Sequence, residues 1–519
     1  MRGYRLLRDS GALGRVADLN NTLAAHPLAI PRKLFSGQLF GAGLVDAEAV
    51  TRQLLLTRVA GLDLNRALLY SLGSGASPLA FQLPPEWRAV IRGKGFNVAS
   101  LGSALRWNFF VAVMWLVGLL RIGQVILGGI KAACGRGGRQ FGRYAYFDGL
   151  APGNLPHPCR DGRSHDIVTW YRQWEGREQN VDRLCHGVAG AGDAEVQGTP
   201  LTALAAPLPP LADPGALARF TAWSVVASLL AAADLLRGRW WHALLLPQAA
   251  LAAQVRLLES ELLAREYLFH NSGYIYRPLW TYEAEKQGAR ITFYFYSTNC
   301  EPFKGAEGYQ LPYGWGVATW PHYLVWDDYQ EAFVRRAVRE RGCVSVVGPI
   351  WFSTSAEEMP ELGGGAVALF DVTPHRASRY RVLGMDPEYY VPGTCIPFLQ
   401  HVQKAVDEAG CKVLWKRKRK IGSLAHPLYR FYAEQVSECA NVVIVDPDIS
   451  AYRVIEASSA VISMPFTSTA LIAREIGKPS CYYDPNGVIR KDDRAAHGIP
   501  IITGRAELGN WLKSVSVSG

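Results

Sequence analysis

Between residues 366 and 483, five short apolar runs (366–370, 412–415, 441–445, 460–463 and 480–483) alternate with helical stretches such as 394–409 and 428–436. No other feature restricts the fold so much. Strands separated by helix-length connections pair in parallel, and a parallel sheet must be covered by helices on both faces. An earlier series repeats the pattern, with strands expected at 144–147, 166–171, 266–269, 291–296, 323–326 and 343–347 and helices at 279–286 and 329–339. The expected fold class is α/β, with two Rossmann-like domains facing a cleft: residues 139–357, which carry a helical insertion, and residues 358–519. A loop containing Met359-Pro-Glu-Leu-Gly-Gly-Gly joins them. Ligands in such sheets bind beyond the carboxyl ends of the strands.

Residues 1–138 read as a helical accessory region, with segments such as 44–59 separated by Pro and Gly turns. The region closes on an apolar segment, 108–134, followed by Arg136, Arg139 and Arg143. Arg121 and Gln124 interrupt that segment, and a central Arg costs at least about 2.5 kcal/mol inside a bilayer. An in-plane contact with lipid headgroups and a buried helical hairpin both fit. The Gly/Ala/Pro-rich stretch 187–214 reads as a loop. Within the Ala/Leu-rich stretch that follows it, 220–236 is apolar enough for a buried helix or a second membrane contact, and Asp234 and Arg237, which end it, favour the buried helix.

Of the 519 residues, 49% are hydrophobic and 19% charged, which describes a globular chain and excludes disorder as its main state. A net charge of +10 admits anionic partners. Nucleic acid is not expected, because no aromatic-interleaved basic platform or nucleic-acid module accompanies the charge. Nine cysteines without a C-x-x-C pair suit a reducing cytoplasm, and the opening residues do not read as a secretory signal.

Polar residues crowd the strand ends of the second half. The strand at 412–415 runs into Lys416-Arg-Lys-Arg-Lys420 and then His426-Pro427, and the strand at 441–445 runs into Asp446-Pro-Asp448. The strand at 460–463 ends in Met464-Pro-Phe-Thr-Ser-Thr469, where three hydroxyls meet the start of an apolar helix. Two readings stand side by side: Thr467 or Ser468 caps that helix, or the hydroxyls and the unpaired N–H groups seat a phosphate. Lys416, Lys418 and Lys420 are candidates to neutralise such a phosphate, and a Pro after His426 holds its backbone extended. The nearest approach to an Asp-x-Asp motif facing a diphosphate is Asp446-Pro-Asp448, whose Pro makes a turn, so no metal is expected.

The run from Lys416 through His426-Pro427, Asp446-Pro-Asp, Glu456-Ala, Ser463-Met-Pro-Phe-Thr-Ser-Thr and Gly477-Lys-Pro resembles the bacterial polysaccharide-biosynthesis proteins known by a Pro-Phe-Thr-Ser motif. The likeness covers roughly residues 265–505. More broadly it is similar to GT-B glycosyltransferases of the sialyltransferase and Kdo-transferase type, which use CMP-activated acidic sugars. That resemblance implies that His426 contacts the phosphate or acts on the leaving group, that Ser468 and Thr469 bind phosphate, and that Glu456 meets the ribose. It also implies an acidic residue followed by Gly as general base. Asp148-Gly149 is the best match, although Phe147 stands where the family form has a second acid. Asp327 and Asp328 are rival bases, and a turn-capping role for Asp148 stays open. Further cleft candidates are Asn271-Ser-Gly-Tyr274 with Arg277, and residues 297–301; most aromatic residues of this half read as core.

The expectation is therefore a metal-independent glycosyltransferase of capsule, O-antigen or lipopolysaccharide synthesis, without a cofactor, transferring a CMP-activated acidic sugar to a lipid-linked or oligosaccharide acceptor at the inner face of the cytoplasmic membrane. The alternatives are a UDP-sugar transferase, a nucleotide-sugar epimerase and a non-catalytic membrane-peripheral scaffold.

Overall fold

The computed structural model describes residues 11–28, 30, 47–60, 62–73, 77–136, 142–156, 166–270, 276–297, 301–305, 308–309, 311, 314–338, 342–350, 359–360, 365–375, 389–417, 422 and 424–516. The chain opens with helices α1 (Ala12–Ala25), α2 (Ala47–Arg58), α3 (Leu62–Gly73), α4 (Pro85–Gly93) and the 32-residue α5 (Ser100–Lys131). This helical region shares its core with the first sheet. From α2, the Gln53 amide donates to the Val317 carbonyl, and its oxygen accepts the Arg277 N–H at 3.3 Å.

The first sheet comprises β1 (Tyr144–Phe147), β2 (Arg183–His186), β3 (Ala194–Val196), β4 (Thr199–Ala203), β5 (Glu266–His270), β6 (Arg290–Tyr294), β7 (His322–Val325) and β8 (Cys343–Val346). Its order is β3-β4-β2-β1-β5-β6-β7-β8, parallel except for the β3–β4 pair. The chain winds outward from β1 on one side and returns to place β5 on the other. Helices α6 (Ile167–Gln173), α7 (Pro214–Leu236), α8 (Trp241–Leu257), α9 (Trp280–Lys286) and α10 (Asp328–Val338) make the connections. The aromatic residues Tyr267, Phe269, Phe293, Trp320 and Tyr323 are buried core.

The second sheet repeats the plan with β9 (Ala366–Phe370), β10 (Lys412–Lys416), β11 (Val442–Val445), β12 (Ala460–Ser463), β13 (Ser480–Asp484) and β14 (Ile501–Thr503). Its order is β11-β10-β9-β12-β13-β14, with every neighbouring pair parallel. Its helices are α11 (Pro392–Glu408), α12 (Pro427–Ser437), α13 (Ala451–Glu456), α14 (Ser468–Glu475) and α15 (Gly504–Ser516). In each sheet the winding direction reverses once, between β1 and β5 and between β9 and β12. Such a reversal leaves a crevice at the carboxyl edge, because the two flanking connections leave in opposite directions.

Three expectations are corrected. Residues 166–171 form a helix start, not a strand: the buried Asp166 carboxylate accepts the N–H groups of Val168 and Thr169 at 2.9 and 2.8 Å and the Thr169 hydroxyl at 2.7 Å. An N-cap satisfying three donors outweighs the strand preference of Ile, Val and Thr. The stretch read as a loop contains β3 and β4, joined through Gln197 and Gly198 at φ 49° and 77°, the paired left-handed residues of a tight hairpin. Helix α7, expected to be buried, exposes one apolar face. Its Asp234 turns inward instead, 2.7 Å from His242 Nδ1. Both α7 and α5 with the turn after it are long and apolar enough to cross a membrane.

Replacing Asp166 by Ala should cost about 1–2 kcal/mol of stability, read as a lower urea midpoint with unchanged slope.

Candidate functional site

Cross-strand register fixes what meets at the second reversal. Phe370 at the end of β9 is paired with Lys416 on one side and Ser463 on the other, so the segments that follow these three strands leave the sheet together. After β12 comes Met464-Pro-Phe-Thr467, in which Phe466 adopts a left-handed φ of 62°. For a residue with a Cβ this conformation costs roughly 1–2 kcal/mol, so the surroundings must impose it. Ring contacts do so: Phe466 lies 4.6 Å from Phe303 and 5.6 Å from Tyr482 between centroids. Two phenols fasten the flanking carbonyls. Tyr390 donates to Pro465 O at 2.9 Å and Tyr482 to Thr467 O at 2.8 Å.

The hydroxyls do not cap α14. Thr467 occupies the N-cap position, but its Oγ1 donates back to Met464 O at 2.9 Å and lies 3.1 Å from Thr469 Oγ1, which in turn lies 2.8 Å from Ser463 Oγ. Ser468 makes no side-chain hydrogen bond among the described residues. The first-turn amides of α14 therefore take no side-chain cap, and the positive end of the helix dipole faces the crevice. Of the two sequence readings, capping is the one this geometry disfavours.

His426 opens α12 in the loop after β10. Its Nδ1 accepts the Leu428 N–H at 3.2 Å, which places the ring proton on Nε2. Its own N–H donates to Pro374 O at 2.9 Å, and His375 bridges Ala425, so the loops leaving β9 and β10 are zipped together. Beneath them lies Asp371, buried, accepting Trp415 Nε1 at 3.0 Å and the Tyr429 hydroxyl. Burial raises its pKa; the bonds from Trp415 and Tyr429 act the other way. Tyr429 is one turn along α12 from His426, so Asp371 sets where the imidazole stands.

The basic run behaves differently. Lys416 is buried and its Nζ donates to Pro447 O at 2.8 Å, clamping β10 to the turn after β11. Burial lowers its pKa, against the opposing charges of Asp446 and Asp448. Arg417 stacks its guanidinium 4.1 Å above Trp415. Lys418 and Lys420 lie outside the described residues. Asp446 is exposed and spends Oδ1 on the Asp448 N–H at 2.8 Å, at the end of the edge strand and roughly 10 Å, two strand spacings, from β9. Glu456 ends α13, just before β12 begins, and so stands at the opposite edge of the sheet from the Pro465–Ser468 turn. The structure thus brings Thr467, Ser468, Thr469 and His426 to the carboxyl edge on the two sides of β9, engages Lys416 in a clamp, and places Glu456 at the other edge.

The first reversal carries Asp148, half-buried after β1, followed by Gly149 at φ 72°. Opposite them is a residue the sequence reading passed over. His270, at the end of β5, donates from Nε2 to Gly149 O at 3.1 Å, its ring 5.5 Å from Tyr296 and 6.1 Å from Tyr294. Burial lowers its pKa and favours the neutral imidazole, against the Gly149 carbonyl and the Asp148 charge. Position was its only sequence signal. Asn271–Tyr274 lie outside the described residues, and Arg277 is a core brace, 3.8 Å above the Tyr282 ring and ion-paired with Glu285.

The carboxyl edges of the two sheets touch. Phe303, after β6, meets Phe466; Lys304 N–H and Tyr309 Oη donate to Asp493 at 2.9 and 3.1 Å; Arg494 pairs with Glu301 at 2.6 Å. Asp327 is part of this contact, 2.8 Å from His497 Nδ1 and 3.1 Å from Arg474. Burial acts to raise its carboxyl, but the bonds from His497, Gln330 and Arg474 prevail and hold it below its ordinary value. Asp327 is a clasp, which sets it apart from a free base, while Asp328 is exposed on the first turn of α10.

Compared with known families, the chain matches polysaccharide biosynthesis PFTS motif proteins over residues 223–512, more than half its length. It belongs to this family. No curated protein matches it. The family name indicates polysaccharide biosynthesis, and the PFTS motif, Pro465-Phe-Thr-Ser468, is the turn at the second reversal.

A carboxyl held below its ordinary value contributes stability that is complete at neutral pH and is lost as pH falls through the folded-state value. Asp327→Asn should therefore destabilise the PFTS protein at pH 7 by about 1–3 kcal/mol, and melting curves from pH 6 to pH 3 should show a shallower acid decline than the parent.

Proposed function

We propose that the protein is a GT-B-type glycosyltransferase of bacterial surface polysaccharide synthesis, with a nucleotide-sugar donor, most specifically a CMP-activated acidic sugar, seated at the PFTS turn and a glycan acceptor at Asp148. The observation that carries this is that the two sheets, which touch through their carboxyl edges, each have a winding reversal at that edge, one offering uncapped helix amides and a histidine donor, the other a carboxylate and a histidine whose pKa burial lowers.

In this reading the amides of α14, the Ser468 hydroxyl and His426 Nε2–H hold the donor phosphate. Asp148 takes the proton of the acceptor hydroxyl as its oxygen attacks the anomeric carbon. The bond from that carbon to the phosphate oxygen breaks, and its electron pair leaves on the phosphate. Fixed N–H dipoles and a hydrogen-bond donor then stabilise the developing charge. Lys416, already committed to Pro447, acts by fixing the strand end beside His426. The proposed location is the cytoplasmic face of the inner membrane, where a lipid-linked acceptor would be met.

Thermal-shift titration tests the donor. CMP at 100 times its dissociation constant should add about 2.7 kcal/mol of stability; stabilisation by UDP or GDP without CMP overturns the CMP assignment. His426→Ala and Ser468→Ala should each lower turnover by about a hundredfold, the Ser468 variant at unchanged melting temperature and the His426 variant with the loss of about 0.5–2 kcal/mol that removing the α12 cap entails. Full turnover in both variants would remove the PFTS crevice from the mechanism.

A further inference from the structure

Helices α5 and α7 lie side by side and antiparallel: Trp115 Nε1 donates to Ser228 O at 3.2 Å, and fourteen residues further along α5, Gly129 meets Leu217, eleven residues earlier on α7. Their inner faces rest on α8, most of whose residues are buried. Close approach is permitted by glycine, since a Cβ on Gly118 would stand 2.6 Å from Leu246 of α8. The outer face is apolar and open. Along α5, Leu105, Phe109, Leu116 and Leu120 are 62, 73, 52 and 68% exposed; beside them on α7, Val226 and Leu229 are 51 and 65% exposed.

Charge borders this face. Residues 100–136 contain Arg106, Arg121, Lys131 and Arg136 and no acidic residue. At 3.6 residues per turn, Arg121 falls roughly 120° from the Phe109 line, on the flank away from Trp115 and α7. Arg237 and Arg239 are more than half exposed at one end of the pair, and the acid they share, Asp234, is buried.

Both ends of α5 are moored to the same globular body. Trp107 packs edge-on against Trp240 at 5.2 Å, the Gln53 bonds tie the helical region to Val317 and Arg277, and the far end leads toward β1. The pair therefore runs along the protein surface.

We infer that α5 and α7 form one two-helix platform that lies in the plane of an anionic lipid bilayer, apolar side chains among the acyl chains and arginines at the phosphates. Charge complementarity selects this occupant over a second copy of the chain, because pairing two such faces would bring cationic borders together. The inference stands without the transferase reading, since it concerns binding alone.

Flotation of the full-length protein with vesicles tests it. Wild type should float with phosphatidylethanolamine–phosphatidylglycerol vesicles, weakly with pure phosphatidylcholine, and less as salt rises. Leu120→Asp and Leu229→Asp should each reduce the bound fraction more than about tenfold at unchanged circular dichroism, whereas Val488→Asp, altering an exposed residue of the second sheet region, should not. Flotation of both the α5 and the α7 variant equal to that of wild type overturns the platform, as does a wild-type dimer that either variant converts to monomer without lipid. Retention in vesicles after alkaline carbonate washing overturns the in-plane placement.

Discussion

A parallel strand cannot be joined to its neighbour by a tight turn; the chain must cross back over a face of the sheet before it can pair again. Everything of functional interest here depends on that constraint. It sends every connection of the second sheet out from one edge, and it makes β9 and β12 neighbours although about ninety residues separate them. His426 and Ser468 lie at the same edge, on the two sides of β9, because of winding order.

The crevice is held by groups that brace its walls from behind. Asp371 fixes α12 through Tyr429, and two phenols fasten the carbonyls around Phe466. Buried carboxylates and left-handed aromatic residues are costly by themselves and persist only where their surroundings over-determine them. Local stability has been exchanged for a defined helix start.

Much of this was legible in the sequence, and the exceptions have physical causes. Alternating apolar runs revealed the five strands from β9 to β13, because buried parallel strands read as continuous hydrophobic stretches. Asp166 misled, since a cap works through three hydrogen bonds that residue preference does not contain. The β3–β4 hairpin was lost in a stretch rich in Gly, Ala and Pro. For the candidate site, spacing marked Thr467, Ser468 and His426 correctly as strand-end residues. It could not tell that Lys416 bonds to Pro447 or that Glu456 ends a helix at the far edge. His270 was invisible because its partner, Gly149, lies 121 residues away.

The contact between Phe303 and Phe466 has a mechanical consequence. One ring rides on the loop after β6 and the other sits at the strained residue immediately before α14. A hinge rotation of one sheet against the other must slide these rings, and with them the residue whose backbone sets the direction of the first helical amides. Any opening or closing of the two halves would thereby be geared to the direction of the first turn of α14.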